Sequence, residues 1–245
     1  MFAHDMLVAG SNQVMIAGGM ESMSQAPYLL PKARGGFRLG HGDIKDHMFL
    51  DGLEDAYDKG KLMGWFAEIC AEKYGFSREA QDDFAVRSLQ RAQHAIQSGL
   101  FKAEIAPVTV AGRKGEVLIE NDEQPLKANL EKIPTLKPAF KKDGTVTPAN
   151  SSSISDGAAA VVMMKLSEAE KRGLKPIAKI VGHSTHAHEP AWFSTAPVDA
   201  MRKLLNQIGW STDDVDLYEI NEAFAVVTMA AMHDLALPAD KVNVR

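Results

Sequence analysis

Apolar residues along the chain recur with two periods, one near two and one near 3.6, and these divide it into strands and helices. Phe2 to Val8 has the spacing of a helix end, and Gln13-Val-Met-Ile-Ala17 is a compact apolar run. The run predicts a buried strand closed by a tight turn at Gly18-Gly19, with a loop from Met20 to Ser24. Residues 31 to 47 hold Pro31, Gly35, Gly36, Gly40 and Gly42 among basic residues and two histidines, which predicts a long exposed loop. From Lys61 to Tyr74 the residues Met63, Phe66, Ala67, Cys70 and Tyr74 form one helical stripe. Ser77 caps a second helix, whose apolar face runs through Phe84, Ala85, Leu89, Ala92 and Ile96 to a stop at Gly99.

Residues 106 to 150 mix short β-like runs, Pro107 to Val110 and Val117 to Ile119, with proline and glycine breaks and predict no helix longer than two turns. Beyond Asn150-Ser-Ser-Ser153 the pattern becomes a strand from Asp156 to Met164, a polar helix from Ser167 to Arg172 and a strand from Ile177 to Val181. A helix opened by Ala196-Pro197 runs to Ile208 and ends at Gly209. A strand over Val215 to Ile220 then leads into an alanine-rich helix from Glu222 to His233. Strands and helices alternate at both ends, which is the signature of the α/β class, and residues 30 to 144 interrupt the alternation as an inserted subdomain. The chain opens on the tail of a helix and closes on Val242-Asn243-Val244-Arg245, the start of a strand, so it is expected to be an internal piece of a longer fold.

Composition narrows the function classes. Of 245 residues, 27 are Lys or Arg and 32 are Asp or Glu, a net charge of −5 with both signs interspersed, which disfavours a nucleic-acid groove or a polybasic membrane surface. Cys70 is the one cysteine, which excludes an intramolecular disulfide framework and a multi-cysteine zinc site and fits a reducing, cytoplasmic setting. No run approaches the length of a membrane-spanning helix, and no export signal opens the chain.

Several familiar catalytic patterns are missing, among them a phosphate-binding glycine loop, a nucleophile elbow and a paired-histidine zinc motif. His183, His186 and His188 lie close in sequence, but strand parity places the first on the opposite face from the other two and no carboxylate cluster accompanies them. They are read as polar strand-end residues and no metal is expected. Cys70 sits mid-helix on the apolar stripe, with no neighbour in sequence to lower its pKa, and is read as a buried inert thiol. The Asn150-Ser-Ser-Ser153 segment runs straight into a strand, as a packed loop facing a ligand would and a flexible linker would not. Asn221-Glu-Ala-Phe224 lies at a strand-to-helix junction, where a side chain faces either a ligand crevice or, as an N-cap, its own helix. Taken singly, none of these names a reaction.

Together, Ala17-Gly-Gly-Met-Glu-Ser-Met-Ser24, Asn150-Ser-Ser-Ser-Ile-Ser-Asp-Gly-Ala-Ala-Ala160 and Asn221-Glu-Ala-Phe-Ala225 occur in the order found in thiolases, and the chain resembles an acetyl-CoA C-acetyltransferase of that family from end to end. The resemblance implies a layered αβαβα core, incomplete here, with an inserted α+β loop domain. Residues 1–29 and 145–175 would belong to the first half, 30–144 to the loop domain with an oligomerisation segment at 33–47, and 176–245 to the second half. The implied reaction is thiolysis of a 3-ketoacyl-CoA, or the reverse Claisen condensation, through an acyl-cysteine. Coenzyme A thioesters are then substrates, no separate cofactor is needed, and a homo-oligomer, a dimer or tetramer, is expected.

In thiolases the nucleophilic cysteine lies upstream of the segment matching Met1, and the catalytic histidine and second cysteine lie downstream of the segment matching Arg245; Cys70 matches none of them. By position, Asn221 matches the asparagine holding an oxyanion-hole water, and Ala223 and Phe224 match the adjoining pocket wall. Ser152 matches a serine on the pantetheine arm, Phe140 an aromatic near the adenine, and Met63 a residue beside the pantetheine tunnel. The sequence departs from the family where Leu62-Met63 stands in place of the His-Met of many short-chain members, beside a one-residue insertion. It also departs around Pro125, where a basic residue is usual and Lys127 is the stand-in. An inactive piece of an acetyltransferase is the leading expectation, and a non-catalytic thiolase-like protein that binds coenzyme A or acyl chains is the alternative.

Overall fold

The structure is a computed structural model that describes residues 1–113 and 115–245. In chain order its helices are α1 Phe2–Val8, α2 Met63–Tyr74, α3 Arg78–Gln97, α4 Glu123–Lys127, α5 Leu166–Lys171, α6 Ala196–Ile208 and α7 Ala225–Asp234. Its strands are β1 Val14–Ser22, β2 Tyr28–Leu29, β3 Lys45–Asp46, β4 Val108–Gly112, β5 Gly115–Ile119 and β6 Asp156–Met164. These assort into two units, one of Met1–Met63, Ile154–His186 and Asp199–Trp210, the other of Gly64–Ser153, Ala187–Val198 and Ser211–Arg245.

The first unit is built on an antiparallel ladder between β1 and β6, from Val14 opposite Met164 to Ser22 opposite Asp156. The tight turn expected at Gly18-Gly19 is not there, and the strand continues to Ser22. Gly18 serves a close approach instead, because a Cβ at that position would collide with the carbonyl oxygen of Ala159. The chain turns only after Ser22, where Ser24 donates from its backbone N–H and its hydroxyl to Asp156 and holds that carboxyl below its usual range. The expected burial of the strand also fails, since Ile16 is 74% and Val162 66% exposed, so backbone pairing rather than side-chain burial orders this ladder. Helix α1 buries Ala3 and Leu7. Residues 30–44 form the wholly exposed connection between the short pair β2 and β3. The strand expected over Ile177 to Val181 is absent, because no neighbour among the described residues offers it a ladder, and Ile177 is fully exposed.

The second unit carries a packed interior. Its α2 buries Phe66, Ala67, Cys70 and Ala71, and α3, capped by the Ser77 hydroxyl accepting from the Ala80 N–H, buries Phe84, Ala85 and Ala95. Helix α7 is buried almost all round, through Val226, Val227, Thr228, Ala230 and Ala231, as its mainly apolar sequence requires. The Tyr74 hydroxyl ties α2 to Asp234 of α7. The antiparallel hairpin of β4 and β5 is exposed along its length. The strand expected from Val215 to Ile220 reduces to one parallel bridge, Tyr218 opposite Val242. Helix α7 starts at Ala225, not Glu222, because Phe224 is extended, with φ −144° and ψ 153°. Among the described residues, no helix is long and apolar enough to cross a membrane.

Candidate functional site

Two loops meet in the second unit, and both belong to segments singled out by sequence. Ser152 donates its N–H to the Ala223 carbonyl at 3.0 Å, Ala225 donates to the Asn150 carbonyl at 2.9 Å, and between them Ser151 bridges Phe224 as in an antiparallel pair. This pairing holds Phe224 extended and so sets where α7 begins. The Phe224 ring meets Phe140 edge to face, with centroids 6.1 Å apart, a favoured aromatic geometry. Gly64 lies against Phe140 so closely that a Cβ would collide with its ring atoms. Phe140, Ser152, Ala223 and Phe224 are thus brought together.

The first loop rests on buried polar groups. Asn150, 3% exposed, donates to Asp82 at 3.2 Å and to the Thr145 carbonyl at 3.1 Å, and accepts from the Thr147 N–H at 2.8 Å. Arg78 donates to the other Asp82 oxygen at 2.7 Å and to the carbonyls of Ile133 and Leu136, so the carboxylate shares both its charge and its lone pairs. Gln81 donates to the Thr145 hydroxyl at 2.9 Å. Glu68, also 3% exposed, accepts from the N–H groups of Thr145 and Val146 and from the Thr145 hydroxyl. A buried carboxylate is tolerable here because these donors replace its water.

The second loop is fixed on both sides of Asn221. The Asn243 side chain accepts from the Ile220 N–H at 2.7 Å and donates to the Ile220 carbonyl at 2.8 Å and to Glu222 at 2.7 Å. It does so from a left-handed backbone at φ 47°, a conformation asparagine tolerates better than most residues. The Ser88 hydroxyl donates to the other Glu222 oxygen, and Arg91 donates to the carbonyls of Ala239, Val242 and Asn243. Asn221 itself is exposed, and its amide has no hydrogen-bond partner among the described residues. A polar group is therefore presented on a held backbone, an arrangement suited to positioning a water or a carbonyl oxygen.

Met63 is half-buried at the start of α2, as the last residue of the first unit's opening segment. Lys127 forms an exposed ion pair with Glu123 at 3.2 Å on α4, and the Pro125 carbonyl accepts from Gln93. Cys70 is 0% exposed, as its place on the apolar stripe predicts, and burial pushes its thiol up to about 11. Sequence reasoning missed the supports Glu68, Asp82, Glu222 and Asn243 and the packing glycine Gly64. Glu222 lay inside a quoted motif and Gly64 beside Leu62-Met63, but the other three are joined to the site only by the fold.

The family model for the thiolase N-terminal domain matches residues 1–167, and that for the thiolase C-terminal domain matches residues 174–245. A probable acetyl-CoA acyltransferase of Staphylococcus aureus strain MRSA252 is 44% identical over 99% of this chain and 62% of its own length. An acetyl-CoA acetyltransferase of Chromobacterium violaceum is 46% identical over 97% of this chain and 61% of its own. The crystal structure of the Bacillus anthracis acetyl-CoA acetyltransferase superposes with a TM-score of 0.95 at 43% identity, covering 100% of this chain and 62% of that one. The chain thus spans about 62% of the length of the relatives it matches.

Proposed function

Because the chain belongs to the thiolase family and has its α/β fold, we propose that it is part of an acyl-CoA C-acetyltransferase. The enzyme would cleave a 3-ketoacyl-CoA with coenzyme A, or run the reverse condensation of acetyl-CoA. The observation that carries this reading is the junction of the Ser152 and Ala223 loops, which brings Phe140 and Phe224 together and leaves Asn221, two residues before Ala223, exposed. In this reading the Asn221 amide holds the water that stabilises the thioester oxyanion. Ala223 and Phe224 wall the acyl pocket, and Ser152 meets the pantetheine arm. Phe140, packed on Phe224, extends the same wall, and Met63 flanks the tunnel. The reading extends to a cytoplasmic homo-oligomer, dimer or tetramer, assembled through residues 33–47, to a role in fatty acid metabolism, and to coenzyme A thioesters as substrates with no further cofactor.

The chemistry calls for a thiolate that attacks the ketone carbonyl, releases acetyl-CoA and passes the remaining acyl group to coenzyme A. We propose that this 245-residue stretch does not form that acyl-cysteine by itself, since its one thiol is enclosed by α2 and kept protonated. The test is the intact mass of the folded chain after exposure to acetoacetyl-CoA, with coenzyme A binding followed by calorimetry. An unchanged mass is expected, and an acetyl group mapped to Cys70 would overturn the reading. The lone buried thiol also favours a second reading, a non-catalytic protein that binds coenzyme A. Micromolar binding of coenzyme A without any mass change would favour it over the first.

A further inference from the structure

His183 belongs to the first unit, and the residues that meet it come from the far end of the sequence. Its Nε2 lies 2.7 Å from Asp5 Oδ1, and His4 Nδ1 lies 3.0 Å from that same oxygen. The two imidazoles stand at 90° with centroids 5.2 Å apart, and the three ligating atoms all fall within 4.8 Å of one another. The strand parity that set His183 against its neighbours does not apply, because residues 176–186 form no strand. The segment is held in place independently of the cluster. Ser184 donates to the Ala200 carbonyl at 2.6 Å, Lys203 donates to the Thr185 carbonyl at 3.2 Å, and Gly182 lies against Leu204 and Ile208 of α6. On the other side, α1 is anchored by the buried Ala3 and Leu7.

We propose that His4 Nδ1, Asp5 Oδ1 and His183 Nε2 form a binding site for a divalent transition-metal ion of the zinc class. Two imidazoles and one carboxylate are the donor set that Zn²⁺, Co²⁺ or Ni²⁺ takes in preference to Mg²⁺ or Ca²⁺, which need more oxygen ligands. Metal–nitrogen bonds of about 2.0–2.1 Å in a tetrahedron place ligating atoms about 3.3 Å apart and imidazole centres about 5.2 Å apart. The ring separation already has that value. The two contacts to Asp5 are shorter by a few tenths of an ångström, and Asp5, with its side chain 55% exposed, has room to swing outward. As an ion enters, each imidazole that had donated to Asp5 carries its proton on the other ring nitrogen and gives the metal its lone pair. Water fills the remaining coordination position. The ion would clip α1 to the segment 178 residues away that carries His183.

The test is titration of the whole chain with Zn²⁺ by calorimetry and with Co²⁺ by visible absorption, together with the unfolding midpoint in Zn²⁺ and in a chelator. One ion per chain is expected, with d–d bands of low-coordinate Co²⁺ and a midpoint that rises with Zn²⁺ and falls back with chelator. His183→Gln keeps an amide donor for Asp5 and removes the ligand, so it should fold with a midpoint close to that of the metal-free chain while affinity drops by at least about tenfold. His4→Gln should behave the same way, and His186→Gln should keep the ion. A folded chain that takes up no ion, or one that keeps its ion in His183→Gln and loses it in His186→Gln, would overturn the proposal.

Discussion

The β1 and β6 ladder and the interior around α7 are ordered by different forces, and the difference decides how each responds to change. In the ladder, backbone hydrogen bonds run from Val14 to Ser22 while Ile16 and Val162 face outward. Around α7, nearly every side chain is enclosed, and the buried Glu68 and Asn150 are matched to named hydrogen-bond partners. Side-chain truncation should therefore be felt strongly in one and weakly in the other.

The largest expected effect is in the interior. Phe66→Ala, at a residue 4% exposed, should lower stability by about 3–5 kcal/mol in urea unfolding followed by tryptophan fluorescence. Glu68→Ala strands the N–H groups of Thr145 and Val146 and should cost about 2–4 kcal/mol in the same measurement. In the ladder, Gly18→Val forces a Cβ onto the Ala159 carbonyl and should cost about 1–3 kcal/mol, whereas Ile16→Thr should stay within about 0.5 kcal/mol. If Ile16→Thr proved as costly as Phe66→Ala, the contrast between the two regions would be gone.

The remaining tests turn on protonation. Asp156 has a lowered pKa in the folded chain, so what it contributes is present above its ordinary value of 3.8 and is lost as pH falls from there through the folded value. Asp156→Asn should therefore lower stability at neutral pH and flatten the acid limb, the two curves converging as the native carboxyl protonates. Cys70 behaves oppositely. Its enclosure favours the neutral thiol, a contribution present below about pH 9 and lost as pH rises toward about 11. An alkylating reagent at pH 8 should label it only in denaturant, and rapid labelling of native protein would contradict the enclosure.

Helices were legible because each declares its buried face locally. The stripe through Phe66 and Cys70 and the cap at Ser77 both appear where the pattern places them. Strands were less so. Gly18-Gly19 reads as a turn until Ala159 is known to lie opposite, and Ile177 to Val181 has the composition of a strand but no neighbour to pair with. The start of α7 moved because Ser151, over 70 residues upstream, holds Phe224 extended. The site shows the same limit. Its motifs stand in the sequence, but the groups that hold them, such as Glu68 beneath Thr145 or Asn243 beside Ile220, carry no local mark because the fold alone makes them neighbours.

Arg91 and the carbonyl of Asn243, joined in the finished protein, are 152 residues apart along the chain. At a synthesis rate of about 5–20 residues per second, α3 waits about 8–30 s on the ribosome before the acceptors of its guanidinium exist. Helix formation takes on the order of a microsecond, so α3 is complete long before then. The loop that presents Asn221 is consequently set long after α3, and its correct shape certifies that the segment through residue 243 has been made and has docked.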